Sequence, residues 1–178
     1  MSIDALKSRL PDYAKDLRLN IGSVITTSSL SPQQAWGTAV AAAIASRNAE
    51  VTAAIVAEAK AHLDEAVLTA AKAAAAIMGM NNIYYRFVHL SSNEEYGKMP
   101  AKLRMNIIAN PGAPKVDFEL WSLAASAVNG CGMCIDAHER EVLAKGATKE
   151  NVQDTVRIAA VVHAVATVLD AEDALAAG

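Results

Sequence analysis

The sequence predicts an all-α fold, a single helical domain built as a bundle of about eight helices. Three observations carry that expectation. No stretch alternates apolar and polar residues with period two over the length of a strand. Apolar residues make up 53% of the 178, yet aromatics make up only 4%, and alanine, the residue of highest helix propensity, supplies much of the difference. Proline, glycine and capping residues then cut the chain into helix-length pieces. Small side chains imply closely packed helices and a thin core, which also favours assembly with further copies of the chain.

The elements follow from those punctuation marks. Asp4 to Leu10 reads as a short helix stopped by Pro11, and Asp12 to Val24 as a second turn or helix. Ser31-Pro32 pairs an N-cap hydroxyl with proline at the first helical position, so a helix is expected to about Arg47, with Trp36, Val40, Ala43 and Ile44 on its buried side. Asn48 favours a break, and Glu50 to His62 resumes the helix. Asp64 to about His89 is long, with Gly79 expected to kink or interrupt it. Residues 90 to 101 form the clearest loop. A short helix is expected from Ala101 to Ala109, ended by Asn110-Pro111-Gly112, and another from Lys115 to Asn129, with Asp117 and Glu119 in its first turns where the helix dipole favours acids. Gly130 breaks it. Cys131 to Lys145 follows, closed by Gly146, and Thr148 caps a last long helix reaching about Ala174.

Trp36 and Trp121 open similar segments, Trp-Gly-Thr-Ala-Val-Ala-Ala and Trp-Ser-Leu-Ala-Ala-Ser-Ala. The echo raises an internal two-fold repeat, with halves at about 31–90 and 115–175. Only the second half carries cysteines.

Composition narrows the function. A net charge of −3 gives no basic surface for nucleic acid, and no Lys/Arg run suggests an anionic membrane. The N-terminus lacks the apolar stretch of an export signal. The longest largely apolar run, Ile158 to Leu169, carries His163 and falls short of the roughly 18 residues that span a bilayer. A cytoplasmic protein is expected, where a close cysteine pair is more often catalytic or metal-binding than a static cross-link.

Both cysteines lie in Gly130-Cys131-Gly132-Met133-Cys134-Ile135-Asp136-Ala137-His138-Glu139. At roughly 100° per residue, Cys134 stands at about 300° and His138 at about 340° from Cys131. Two thiols and an imidazole therefore share one helix face, an arrangement suited to a thiolate that attacks, a thiol that resolves and a base that manages protons. By pattern alone either sulfur can attack. The histidine at i+4 from Cys134 favours Cys134, with Cys131 closing the disulfide.

Other readings stand beside this one. Two cysteines can be simple core residues. Cys131, Cys134, His138 and Glu119 can be set down as a metal site, although structural zinc normally takes four ligands and often a second Cys-x-x-Cys, absent here; no metal is expected. From spacing alone Glu119 is slightly better read as a solvated first-turn glutamate than as a partner of His138. His62 and His89 read as surface or loop residues, His163 as a core or interface histidine, and Glu139 and Arg140 as a charged face.

Several segments together resemble the alkyl hydroperoxidase D (AhpD) family, within the carboxymuconolactone decarboxylase-like superfamily. They are Ile77-Met78-Gly79-Met80-Asn81-Asn82 followed by Tyr84, Tyr85 and Arg86; Leu103 to Gly112; Phe118-Glu119-Leu120-Trp121-Ser122; and Asn129-Gly130-Cys131 with Cys134 and His138-Glu139. The resemblance covers nearly the whole chain, and its Glu-x11-Cys-x-x-Cys-x3-His framework is specific. It implies an all-helical subunit assembled as a homotrimer. It implies reduction of alkyl hydroperoxides with no bound cofactor, using external dihydrolipoamide carried on the lipoylated acyltransferase subunit of a 2-oxoacid dehydrogenase. It also implies regeneration of a partner peroxiredoxin, AhpC. Carried over by position, Cys134 is the peroxidatic thiol that becomes a sulfenic acid, Cys131 the resolving thiol and proton donor, and His138 with Glu119 the proton relay.

One position departs from the pattern. Family members often carry a histidine directly before the second cysteine, where this chain has Met133, about 100° away from Cys134 on the helix. The departure bears on proton delivery more than on thiol–disulfide exchange. It keeps a second function open, a disulfide reductase with little direct peroxidase activity. A cofactor-free decarboxylase of the same superfamily is a third, disfavoured because those relatives need no cysteine pair.

Overall fold

The computed structural model describes residues 2–178, and among them there is no strand. Ten α-helices follow in order, eight of them with seven residues or more: α1 (Ile3–Arg9), α2 (Lys15–Ile21), α3 (Pro32–Ser46), α4 (Ala49–Ala59), α5 (Glu65–Leu90), α6 (Glu95–Lys98), α7 (Asn106–Ala109), α8 (Lys115–Asn129), α9 (Gly132–Ala144) and α10 (Lys149–Ala176). A single 3₁₀ turn, Asp12–Ala14, precedes α2.

The capping signals act as the sequence predicts. The Ser31 hydroxyl accepts from Gln34 N–H and the Gln34 side chain reciprocates, forming a capping box ahead of Pro32. Asn48 caps α4 through Val51 N–H, Asp64 caps α5 through Val67 N–H, and Thr148 forms a second capping box with Asn151.

The bundle is organised around α8. Every residue from Asp117 to Ser126 is buried, because α8 is flanked by α3, α5, α9 and α10. A helix enclosed on all sides has no polar face to spare, and its neighbours must approach closely. On α3 nine consecutive residues, Ala35 to Ala43, are buried as well. At their closest approach Gly37 of α3 lies against the indole of Trp121, whose Nε1 donates to the Gln34 carbonyl at 3.2 Å. A Cβ on residue 37 would fall inside that ring. Gly37→Ala is therefore expected to destabilise the fold by about 3 kcal/mol, against a gain of about 1 kcal/mol in helix propensity. Denaturant unfolding of the variant checks this; a midpoint at or above the parent's would refute the close-packing account.

Polar ties fix the remaining helices. Asp117 accepts from Gln33 Nε2 at 2.7 Å and Gln34 Nε2 at 2.8 Å, joining the starts of α3 and α8. Asp154 on α10 accepts from Ser29 N–H at 2.7 Å and Arg157 Nη1 at 2.6 Å. Arg9 of α1 bridges Glu50 on α4 and Asp173 on α10.

Four local expectations need correction. Of the kink or interruption expected at Gly79, the interruption does not occur: α5 runs through it as one helix, since one glycine weakens a helix but removes no backbone hydrogen bond. The loop after Leu90 contains the one-turn α6. The helix expected from Ala101 begins only at Asn106, because Lys102 adopts φ 54° and the chain is irregular up to Met105. Ile44 is only half-buried, while Trp36, Val40 and Ala43 are buried.

Two runs of helices have similar lengths: 15, 11 and 26 residues for α3–α5, and 15, 13 and 28 for α8–α10. The two tryptophans hold different places in their helices. Trp36 stacks on His62 at 4.5 Å near the surface, and Trp121 is wholly enclosed.

Candidate active site

The site begins where α8 stops. Gly130 takes φ 66°, a left-handed conformation that glycine adopts without a Cβ penalty. Its N–H bonds Ala127 O, and Cys131 N–H reaches back to Ser126 O at 3.1 Å, a Schellman ending that turns the chain sharply. Cys131 becomes the N-cap of α9 and Cys134 lies in its first turn. The two are joined as a disulfide with Cα atoms 5.3 Å apart. Both sulfurs therefore sit at the positive end of a helix, which favours a thiolate once the bond is reduced.

Burial separates the two cysteines. Cys131 is 0% exposed and Cys134 is 6% exposed. Cys134 lines a cavity of about 280 Å³ shared by α5, α9 and the α7 segment, and Cys131 does not. Apart from Cys134 and His138, the walls are chiefly Met78, Tyr85, Met105, Ile108 and Met133. Met133 thus contributes apolar wall.

His138 stands one turn beyond Cys134 on α9. Its Nδ1 lies 2.6 Å from Glu119 Oε2 on α8, and Glu119 is 5% exposed. The solvated reading of Glu119 is overturned: the Gly130 turn folds α9 back beside α8 and brings the two side chains together. The carboxylate can only accept, so Nδ1 carries the hydrogen. The second oxygen, Oε1, is 3.3 Å from Lys115 Nζ, which also donates to the Ile108 carbonyl. Burial pushes the Glu119 carboxyl up. The hydrogen bond and charge of His138, then those of Lys115, outweigh it and hold Glu119 below the usual carboxylate range.

The other ring nitrogen, Nε2, rests 3.2 Å from Met78 Sδ. Cys134 Sγ lies 4.0 Å from the Asn81 carbonyl oxygen. In this disulfide form His138 is thus held by Glu119, and Nε2 is only in contact with Met78. That suits a sulfur with no proton to give, and leaves Nε2 as the nitrogen free of carboxylate.

The remaining histidines stand apart. His62 and His89 are exposed, as expected. Of the two readings of His163, core or interface, the core one falls: the ring is exposed on this chain, with Nδ1 3.3 Å from Ser46 Oγ, because α10 turns that face away from α8. Glu139 is half-buried and Arg140 exposed. Among the described residues no three of His, Cys, Asp and Glu are grouped as a metal site.

Met78, Asn81, Met105, Ile108 and Lys115 were not singled out for roles by the sequence. Only Lys115 had a usable signal, the i,i+4 spacing to Glu119. The others reach the site by packing of α5 against α9 and of α7 against α5.

Comparison with known proteins identifies the family. A protein named "Alkyl hydroperoxide reductase AhpD" from Rhodospirillum centenum is 76% identical over 175 residues, 98% of this chain and 94% of its own length. The chain belongs to the AhpD family. A protein of the same name from Gluconacetobacter diazotrophicus is 63% identical over 175 residues, 98% of this chain and 96% of that one. Another from Brucella anthropi is 60% identical over 173 residues, 97% and 99% of the two chains. Residues 94–177 match the model of the carboxymuconolactone decarboxylase family, the stretch that contains Glu119, both cysteines and His138.

Proposed function

We propose that this AhpD-family protein reduces alkyl hydroperoxides with its cysteine pair. The observation that carries the reading is the division of labour at the disulfide: Cys134 faces an apolar cavity beside a His138–Glu119 pair, and Cys131, buried and off the cavity wall, is bonded to it from behind. The names of the relatives support it.

In the reduced enzyme His138 takes the Cys134 proton through Nε2, and Glu119 stabilises the resulting imidazolium. The thiolate attacks the distal peroxide oxygen. The O–O bond breaks, and the leaving alkoxide takes a proton from Cys131. Cys134 is left as a sulfenic acid. The Cys131 thiolate then attacks the Cys134 sulfur, and hydroxide departs with the proton held by His138 as water. Sulfur loses two electrons in the first step and the peroxide gains them. The product is the Cys131–Cys134 disulfide that the structure holds. An external dithiol reduces it by exchange.

In this reading no cofactor is bound. The dithiol is dihydrolipoamide on the acyltransferase subunit of a 2-oxoacid dehydrogenase, and the same cysteine pair regenerates the peroxiredoxin AhpC. The protein works in the cytoplasm as a homotrimer. Among the described residues no helix is long and apolar enough to cross a membrane. Sedimentation checks the assembly, with a mass three times the 18.6 kDa subunit expected.

The decisive experiment is a lipoamide-coupled peroxide assay, run with and without AhpC. Dihydrolipoamide oxidation that depends on an alkyl hydroperoxide in the protein alone supports the peroxidase reading. Oxidation only when AhpC is added favours the disulfide-reductase reading, which Met133 supports by supplying apolar wall where the family pattern has a second histidine. No oxidation in either arm refutes both.

A further inference from the structure

One polar group beside the Cys134 cavity has no partner. Asn81 and Asn82 are consecutive on α5 and both are buried, at 5% and 0% exposure. Asn82 uses its amide fully: Nδ2 donates to Ser126 Oγ at 2.9 Å, and Oδ1 accepts from Asn129 Nδ2 at 3.0 Å. Neighbours on a helix diverge by about 100°, so Asn81 takes another direction. It lines the cavity with Cys134 and His138, and its backbone carbonyl lies 4.0 Å from Cys134 Sγ. Its Oδ1 is shielded from solvent and accepts no hydrogen bond.

A buried amide oxygen without a donor is a destabilising feature that calls for a reason. A leucine at this position would fill the space without the desolvation penalty. The surrounding wall is Met78, Tyr85, Met105, Ile108 and Met133, side chains that accommodate an alkyl group and of which the methionines adapt readily to its shape. A hydroperoxide entering this cavity leaves water behind, and its O–H then needs an acceptor.

We propose that the Asn81 side-chain amide binds the –OOH end of an alkyl hydroperoxide beside Cys134, while the methionine-rich wall holds the alkyl part. This assignment rests on the peroxidase reading. The χ2 torsion of asparagine is broad, so no rotamer preference prevents the amide from turning toward an entering ligand. The peroxide O–H donates to Oδ1, which brings the distal oxygen to the sulfur. When Sγ attacks that oxygen and the O–O bond breaks, the hydrogen donated to Asn81 stays on the sulfenic acid. The alkoxide is protonated by Cys131 as before. Reduction of the disulfide by a dithiol involves no peroxide and makes no use of this contact.

The test separates those two half-reactions. Asn81→Leu and Asn81→Ser are each reduced and then mixed with cumene hydroperoxide or hydrogen peroxide, with Cys134 oxidation followed in time. The disulfide forms are reduced with dithiothreitol in parallel. N81L is expected to lose about 10- to 100-fold in the rate of oxidation by either peroxide, the scale of one buried hydrogen bond. Its disulfide reduction is expected at the parent rate. N81S, which keeps a hydroxyl, should lose less, and it decides the matter if N81L fails to fold. Oxidation of the variants at the parent rate, or equal slowing of both half-reactions, overturns the proposal. If the parent itself reacts with no peroxide, the peroxidase reading falls and this assignment with it. If the parent reacts and N81L matches it, only the role of Asn81 falls.

Discussion

Cys134→Ser is expected to abolish peroxide turnover, a loss of at least about 10³-fold, because a serine hydroxyl offers no comparable nucleophile at neutral pH. Cys131→Ser is expected to behave differently. Cys131 is buried and is not part of the cavity wall, so its loss leaves the attacking sulfur in place and removes the resolving step. That variant should consume one equivalent of peroxide per subunit and stop. Its Cys134 should then be trapped by dimedone as a sulfenic acid, whereas Cys134→Ser should give no adduct. A single-turnover measurement with mass analysis distinguishes the two. Equal residual turnover in both variants, or an adduct on Cys131, would refute the assignment of roles. The asymmetry follows from the fold: Cys131 is the N-cap under the α8 ending, and Cys134, in the first turn of α9, opens onto the cavity.

Legible and hidden features divide along the range of the interactions. Ser31-Pro32, Asn48, Gly130 and Thr148 act within a few residues of themselves, so the helix boundaries they set were legible. The shared face of Cys131, Cys134 and His138 was legible too, because it depends only on helical pitch within one element. Glu119 was ambiguous by spacing alone. Its encounter with His138 depends on the angle at which α9 leaves Gly130, and no local pattern reports that angle. Asn81 and Met78 carried no signal, since α5 is placed by its packing on α8. The histidines illustrate the same limit. His163 sits in an apolar run that suggests burial, yet α10 is packed along one side only, and the ring is left outside.

Glu119→Gln should preserve the shape of the relay and remove its charge. Glutamine Oε1 can still accept from His138 Nδ1, so the ring keeps its orientation, but the neutral amide no longer stabilises an imidazolium beside a Cys134 thiolate. An unassisted thiol near 8.5 is only about 3% ionised at pH 7. Oxidation of Cys134 at that pH should fall by up to about 30-fold, the ratio of a fully ionised thiol to one about 3% ionised. The deficit should shrink as pH rises through the ordinary thiol range, where Cys134 ionises unaided. A deficit that is constant with pH would mean that Glu119 acts only on structure. The same substitution has a signature in stability. In the folded chain burial pushes the Glu119 carboxyl up, but His138 and Lys115 hold it below its unfolded value. Above the unfolded value, about 4.3, both states are ionised and the pairing contributes in full. As pH falls below that value the unfolded chain binds the proton first, and the contribution shrinks until pH passes the depressed folded value. The parent should therefore lose stability across this acidic window more steeply than Glu119→Gln, with the two curves running parallel above it. Urea unfolding at a series of pH values reads the difference. Parallel curves throughout would show that the carboxylate is not held by its partners in solution, and the proton relay would lose its anchor.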